Sequence, residues 1–320
     1  MRKITNGELQ TYKDCKRKWW LGWFRRYRPA RPDRTTAAAL GTLVHSGLST
    51  LYAGGDPLVQ LQNEHDATLA LVEQEATAAG QSVDGDLLKK LDDHHKLAWV
   101  MIEGYIQWLA ETGADQGLKI VGNEQKVEVA LPGHEGVYLM GKLDIEAERT
   151  YDDSLLFLDH KTVQSISDSA SRLHMDEQML HYHLIKYLKE LELAEAEQRP
   201  MRMVDGALYN MLRKVKRTAR ATPPFYDRVE IRHSHDELQA YYRRVWGEVR
   251  DILETEKRLE TEDPRVVAYP RPSRDCSWKC EFFPVCPLID TAPAAAEAML
   301  AGAYEHQDPL DRYQDQDGVI

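Results

Sequence analysis

Two carboxylates and a lysine carry the most specific chemistry in this chain. Asp159 and Lys161 stand two apart in SLLFLDHKTV (154–163), a run that reads as a strand. Side chains two apart on a strand share a face, so both point the same way, with Leu155 and Phe157 behind them. Leu156 and Leu158 face the other side. A strand apolar on both faces is expected at the centre of a sheet. Charges at the end of such a strand are costly unless they serve a site. Asp144 lies in the preceding strand candidate, VYLMGKLDIEAE (137–148). If these strands pair as a hairpin, Asp144 approaches Asp159. Adjacent carboxylates repel, and a hard cation such as Mg2+ or Mn2+ removes the repulsion. A lysine beside them can orient an attacking water or stabilise charge developing on phosphorus. The set suits phosphodiester hydrolysis. By itself D-x-K is also a common surface ion pair.

A second set is built from sulfur. Cys276, Cys280 and Cys286 form C-x3-C-x5-C beside Pro284 and Pro287, and Cys15 stands alone near the start. Thiolates so spaced can converge on one soft metal centre, and Cys15 is the cysteine left to complete four ligands. Zinc and an iron–sulfur cluster both fit four thiolates, and spacing does not choose between them. Four cysteines in 320 residues are too few for a disulfide scaffold.

These residues need elements to hold them. Residues 37–53, 57–80 and 86–112 read as helices. The period then changes to that of strands at 119–131, interrupted near Gly122, at 137–148 and at 154–163, with a turn over 132–136. A helix is expected at 171–193, a strand at 202–212 and a long charged helix at 234–260. A proline-rich stretch, 264–273, leads to the cysteine loop, and the last thirty residues read as a helix and a loose tail. The organisation expected is one integrated domain in four parts. These are a helical region with the first cysteine (1–118), an α/β core (119–262), a cysteine-rich loop (263–290) and an acidic tail (291–320).

The overall charge of −11 argues against a nucleic-acid partner until its distribution is considered. Residues 13–34 hold nine Lys/Arg against two Asp/Glu, and 202–220 hold six against one. Residues 290–320 hold seven Asp/Glu against one Arg. The first basic run interleaves Trp19, Trp20, Trp23, Phe24 and Tyr27, which suits a nucleic-acid strand or the buried side of an amphipathic helix. The two basic runs are expected to flank the active-site groove, with the acidic tail away from it. The composition is that of a globular protein. No apolar run is long enough to span a membrane, and the N-terminus lacks the apolar stretch of a secretion signal. The expected location is therefore cytoplasmic, or the host cytoplasm if the gene is a phage's.

Taken in order, GTLVH (41–45), Glu124, GKLD (141–144), LDHK (158–161) and Gln178-x3-Tyr182 resemble the RecB-like nucleases of the PD-(D/E)XK superfamily. The lone N-terminal cysteine with its C-terminal trio is similar to that family's iron–sulfur branch, which includes CRISPR-associated RecB-type exonucleases, the AddB nuclease domain and stand-alone phage exonucleases. The resemblance spans roughly residues 10–290. It implies a restriction-endonuclease-like fold, a central mixed sheet flanked by helices. His45, Asp144 and Asp159 then hold Mg2+ or Mn2+, with Lys161 as the catalytic lysine. Gln178 and Tyr182 help to hold DNA, and Glu124 supports the site without touching the metal. Cys15, Cys276, Cys280 and Cys286 ligate a 4Fe–4S cluster, with zinc as the alternative. The implied activity is a DNA exonuclease acting on single strands or ends in recombination, replication or repair, with a helicase, recombinase or CRISPR-type partner. The alternative is a DNA-binding or assembly subunit that keeps the fold without catalysis. This chain has Asp rather than the commoner Glu before x-Lys, and a wider C-x3-C than many relatives.

Overall fold

The computed structural model describes residues 1–313. The chain opens with β1 (Arg2–Thr5), α1 (Asn6–Asp14) and α2 (Lys16–Trp19), followed by a π-helical turn at Trp20–Phe24 and β2 (Tyr27–Pro29). Three helices follow: α3 (Ala37–Tyr52), α4 (Pro57–Ala78) and α5 (Gly85–Thr112). Then come β3 (Leu118–Ala130), β4 (Val137–Arg149), β5 (Leu155–Val163), the short α6 (Ile166–Ala170) and α7 (Glu177–Glu197). After β6 (Val204–Arg213), β7 (Tyr226–Ile231) and α8 (His235–Leu259), the chain ends in α9 (Pro264–Val267), α10 (Cys276–Lys279), α11 (Cys286–Thr291), α12 (Pro293–Ala303) and β8 (Tyr304–His306).

The central sheet is mixed and six-stranded. It runs β1-β4-β5-β6-β7, with β3 also paired to β4. β4 to β5 and β6 to β7 are antiparallel, whereas β5 to β6 is parallel, a pairing that needs a crossover, and α7 supplies it. Both faces of the sheet are covered. On one face Phe157, Tyr209, Leu139 and Leu143 pack with Met179 and Ile185 of α7 and Tyr241, Val245 and Val249 of α8. On the other, the helices α3 and α5 form their own core through Leu40, Val44, Leu48, Met101, Ile102 and Tyr105, joined by Leu212 of β6. The architecture is the restriction-endonuclease-like mixed sheet with flanking helices that the sequence leads one to expect.

Some elements lie where local pattern gives no sign of them. The run at Arg2–Thr5 joins the sheet, parallel to Val137–Met140. Four residues with two charges carry too little periodicity to reveal a strand. Arg2 holds this start in place through Glu8 and Glu256. The helix expected from 171 begins at Glu177, because the Asp176 side chain accepts the backbone N–H of Gln178 as its N-cap. The strand β7 was not foreseen. The interruption expected near Gly122 is a register shift between Ile120 and Gly122.

Candidate metal-dependent active site

The site forms where two strands part. β3 covers one edge of β4 from Tyr138 to Arg149. The other edge is shared: β1 takes Val137–Met140 and β5 takes Ile145–Glu148. Between them Gly141–Asp144, the GKLD segment, has no strand partner on that side. Asp144 fills the gap with its own side chain, whose Oδ2 accepts the backbone N–H of His160 at 2.7 Å. Asp144 thereby reaches the neighbourhood of Asp159. Gly141 makes the gap passable. A Cβ there would stand 2.7 Å from Ile185 Cδ1 and 2.9 Å from Tyr182 Cε1, both on α7. Gly141→Ala should push α7 outward and cost about 2 kcal/mol of stability, seen as a lower unfolding midpoint in urea.

Asp159 and Lys161 do share a face. Lys161 Nζ lies 2.7 Å from Asp159 Oδ2 and donates to Gln178 Oε1 at 2.6 Å. Gln178 Nε2 donates to the Tyr182 hydroxyl at 2.9 Å and stands 3.4 Å from Asp159 Oδ1. Gln178 therefore holds the lysine and carboxylate in line, and Tyr182, which is buried, braces Gln178 from behind. Tyr182 reaches the site through Gln178.

His45 Nδ1 lies 3.4 Å from Asp144 Oδ2. His45, Glu124 and Asp144 each offer a ligand atom, and these atoms all lie within 4.8 Å of one another. Two carboxylates and one imidazole fit a hard or borderline divalent cation such as Mg2+ or Mn2+. Glu124 thus joins the candidate ligands, where the sequence placed it outside them. Its backbone is left-handed, φ 53°, beside the register shift in β3, and its Oε2 pairs with Lys142 Nζ at 2.7 Å. A non-glycine residue held in that conformation at a site is the kind of strain that function retains. The interruption near Gly122 and the place of Glu124 in the motif order were its visible signals.

Electrostatics follow from burial and contacts. Burial pushes Asp159 up, the Lys161 ammonium opposes this, and Asp144 adds to it; the carboxyl rises above its ordinary range. Burial also disfavours the Asp144 carboxylate, but the His45 hydrogen bond and charge and the His160 N–H outweigh it and hold Asp144 low. For His45, burial opposes the charged ring, yet Asp144 raises it to about 8. A metal needs the neutral ring, so protons compete with it. Mn2+ affinity should therefore climb as pH rises toward about 8 and level off above it, with proton release on binding. Isothermal calorimetry in buffers of different ionisation enthalpy measures both.

Behind the site lies a network that sequence reasoning missed. His160 is buried, and burial lowers it to about 3, so the ring is neutral. Its Nδ1 is 2.8 Å from Asn210 Nδ2, and the ring stacks on Tyr52 at 5.6 Å. Asn210 continues to Tyr105 and Arg228, and Arg228 pairs with Asp115 at 2.7 Å. This fixes the backbone whose N–H holds Asp144. His160 within LDHK was visible; its partners, 50 or more residues away, were not.

The four cysteines are free thiols drawn from both chain ends. Burial raises Cys280 and Cys286; Cys15 and Cys276 add to the first shift, Cys15 and Cys280 to the second. Backbone N–H groups of Arg271 and Ser273 donate to Cys15 Sγ and Cys276 Sγ at 3.4 and 3.3 Å. Such donors suit thiolate ligands. Among the described residues no three of the sulfurs come within the 4.8 Å that groups His45, Glu124 and Asp144. Arg17, fully buried, ties this region down through the Ala268 carbonyl and Asp290.

The charge segments are arranged differently from expectation. In the first basic run, Arg17 pairs with Asp290, Arg25 with Glu297, Arg26 with Asp308 and Arg28 with Glu281. Trp19, Trp20 and Tyr27 are buried, and β2 pairs with β8. These four arginines clasp the C-terminal segment, whereas Lys13 of the same run pairs with Glu177, next to Gln178. Nor does the tail keep away: Leu310 and Tyr313 line a surface cleft with Met140, next to Gly141. Asp315 and Asp317 lie outside the described residues. The second basic run does adjoin the site, for the Lys214 N–H donates to the Val163 carbonyl at 2.8 Å, two residues beyond Lys161.

Asp144 in the gap of β4, Asp159 and Lys161 together on β5, and a histidine from a covering helix form a set suited to metal-dependent phosphodiester hydrolysis. The model of the PD-(D/E)XK nuclease superfamily matches residues 3–287, and the chain belongs to that superfamily. Membership implies metal-dependent nuclease activity. No curated protein matched the chain in a search.

Proposed function

We propose that the protein is a RecB-like DNA exonuclease that works on single strands or DNA ends in recombination, replication or repair. The observation that carries this reading is the joined set of Asp144, Asp159 and Lys161, with Gln178 bound to both of the latter. His45, Asp144 and Glu124 are suited to hold one divalent ion, with Asp159 alongside. Mg2+ or Mn2+ would supply Lewis-acid stabilisation of charge on the phosphate oxygens. Lys161, held by Gln178 and Asp159, positions the attacking water and stabilises the charge that develops on phosphorus. Asp159, its carboxyl raised by burial, can accept a proton from that water near neutral pH.

The cysteines are proposed to hold a 4Fe–4S cluster. Four thiolates also fit tetrahedral zinc, and the cluster reading rests on the likeness of the lone N-terminal cysteine and C-terminal trio to the iron–sulfur branch. Its task is to fasten the chain ends, beside the clasp of β2 and β8. A cytoplasmic location is proposed with it, since cysteines kept as thiolate ligands and not as disulfides suit a reducing compartment. Among the described residues no helix is long and apolar enough to cross a membrane. A helicase or recombinase partner fits the reading. Digestion of 5′- and 3′-labelled single and double strands with Mn2+ or Mg2+ tests it. Progressive loss of label from ends is expected. Uncut DNA with every metal, despite bound Mn2+, would overturn it in favour of a binding subunit.

A further inference from the structure

A cleft of about 520 Å3 opens beside Lys161. Its floor is β6. Tyr209 and Met211 stand in register with Asp159 and Lys161, so the floor and the catalytic pair lie side by side. Its wall is the connection from β5 to α7, where a 3-10 turn at Leu173–Met175 precedes the Asp176 cap. Leu173 is buried, yet Met175 is 84% exposed. Met175 therefore offers a flexible apolar side chain to whatever enters the cleft. At the rim, Arg172 is anchored by its Nε to the Asp168 carbonyl at 3.1 Å. Among the described residues it forms no ion pair, which leaves its terminal nitrogens for a phosphate.

We propose that this cleft is a nucleobase slot, which takes the base next to the bond being cut while Arg172 meets the adjoining phosphate. The inference rests on the nuclease reading and deepens it. A flat base matches the exposed Met175 wall, and every base has a face to offer, so the slot selects for an unpaired strand and not for sequence. A duplex keeps its bases stacked and cannot fill it without paying the cost of unpairing. Arginine at the rim supplies the planar donor pair that phosphate oxygens accept. The wall and the residue that aligns Lys161 belong to one short connection: Met175 precedes Gln178 by three positions.

The test uses the full chain loaded with Mn2+ and a short labelled single strand, with the base at the cut either present or replaced by an abasic residue. Met175 and Arg172 are exposed, so Met175→Ala and Arg172→Ala leave the fold intact. On the intact strand Met175→Ala should raise KM about fivefold with kcat within about twofold, from the lost apolar contact. On the abasic strand parent and Met175→Ala should coincide, because there is no base to lose. Equal KM values on the intact strand overturn the slot, as does an equal penalty on both strands. If the parent cuts nothing, the nuclease reading fails separately. The slot is then judged by fluorescence anisotropy of the same strands in Ca2+. Equal Kd for parent and Met175→Ala overturns it; weaker binding by the variant on the intact strand alone supports it.

Discussion

Lys161→Ala should cut DNA about a thousandfold more slowly than the parent and still bind Mn2+. The lysine is not among the candidate ligands. It lies 2.7 Å from Asp159 and is held by Gln178, so its loss removes a charge aimed at the reacting phosphate, not a ligand. Removing a cation near the site leaves metal affinity unchanged or tighter. Asp144→Asn should behave differently. Asp144 accepts from His160 and joins the His45–Glu124 group, so the amide should lose both Mn2+ binding and cleavage. The split between the two variants separates positioning from ligation. Cleavage at the parent's rate by Lys161→Ala would falsify the assignment of the site. Circular dichroism guards against a trivial loss of fold, since the change also leaves Asp159 buried without its partner. Asp159 is already raised by burial, so it can take up a proton instead of remaining as an unpaired charge.

The second large effect is on stability. Cys15→Ser should abolish the visible absorption of an iron–sulfur cluster in anaerobically purified protein and lower the unfolding midpoint by about 10 °C. Cys15 and Cys276 enclose nearly the whole chain, and a link over a loop of that length restrains the unfolded state by about 5 kcal/mol. The clasp of β2 with β8 and the ion pairs from Arg17, Arg25, Arg26 and Arg28 remain in the variant, so it should still fold. A colourless parent with one equivalent of zinc would identify the metal differently and keep the stability prediction. An unchanged melting midpoint in Cys15→Ser would remove the structural role.

Much of the catalytic strand was legible. Alternation in SLLFLDHKTV placed Asp159 and Lys161 on one face and made the strand central, because a period of two is a local property. The same alternation could not show that β4 loses its partner at Gly141–Asp144, since that depends on where β1 ends and β5 begins. Gln178 and Tyr182, four apart on a helix, were visible as a pair. Their attachment to Lys161 and Asp159 depends on how closely α7 approaches Gly141, a contact between elements.

By itself the sequence determined the chemistry available: two aspartates and a lysine at strand spacing, a histidine on a helix, and four thiols at the two ends of the chain. Residue type and short-range period are enough for that. Only the tertiary structure decided how charge was used. Nine bases among aromatics could have met DNA, but four of them pair with acids more than 250 residues away, and most of the aromatics are buried. It also brought Glu124 to His45 and Asp144, through a left-handed residue at a shift in β3. Pairings over such separations are set by the packing of the whole chain, and no local window contains both partners.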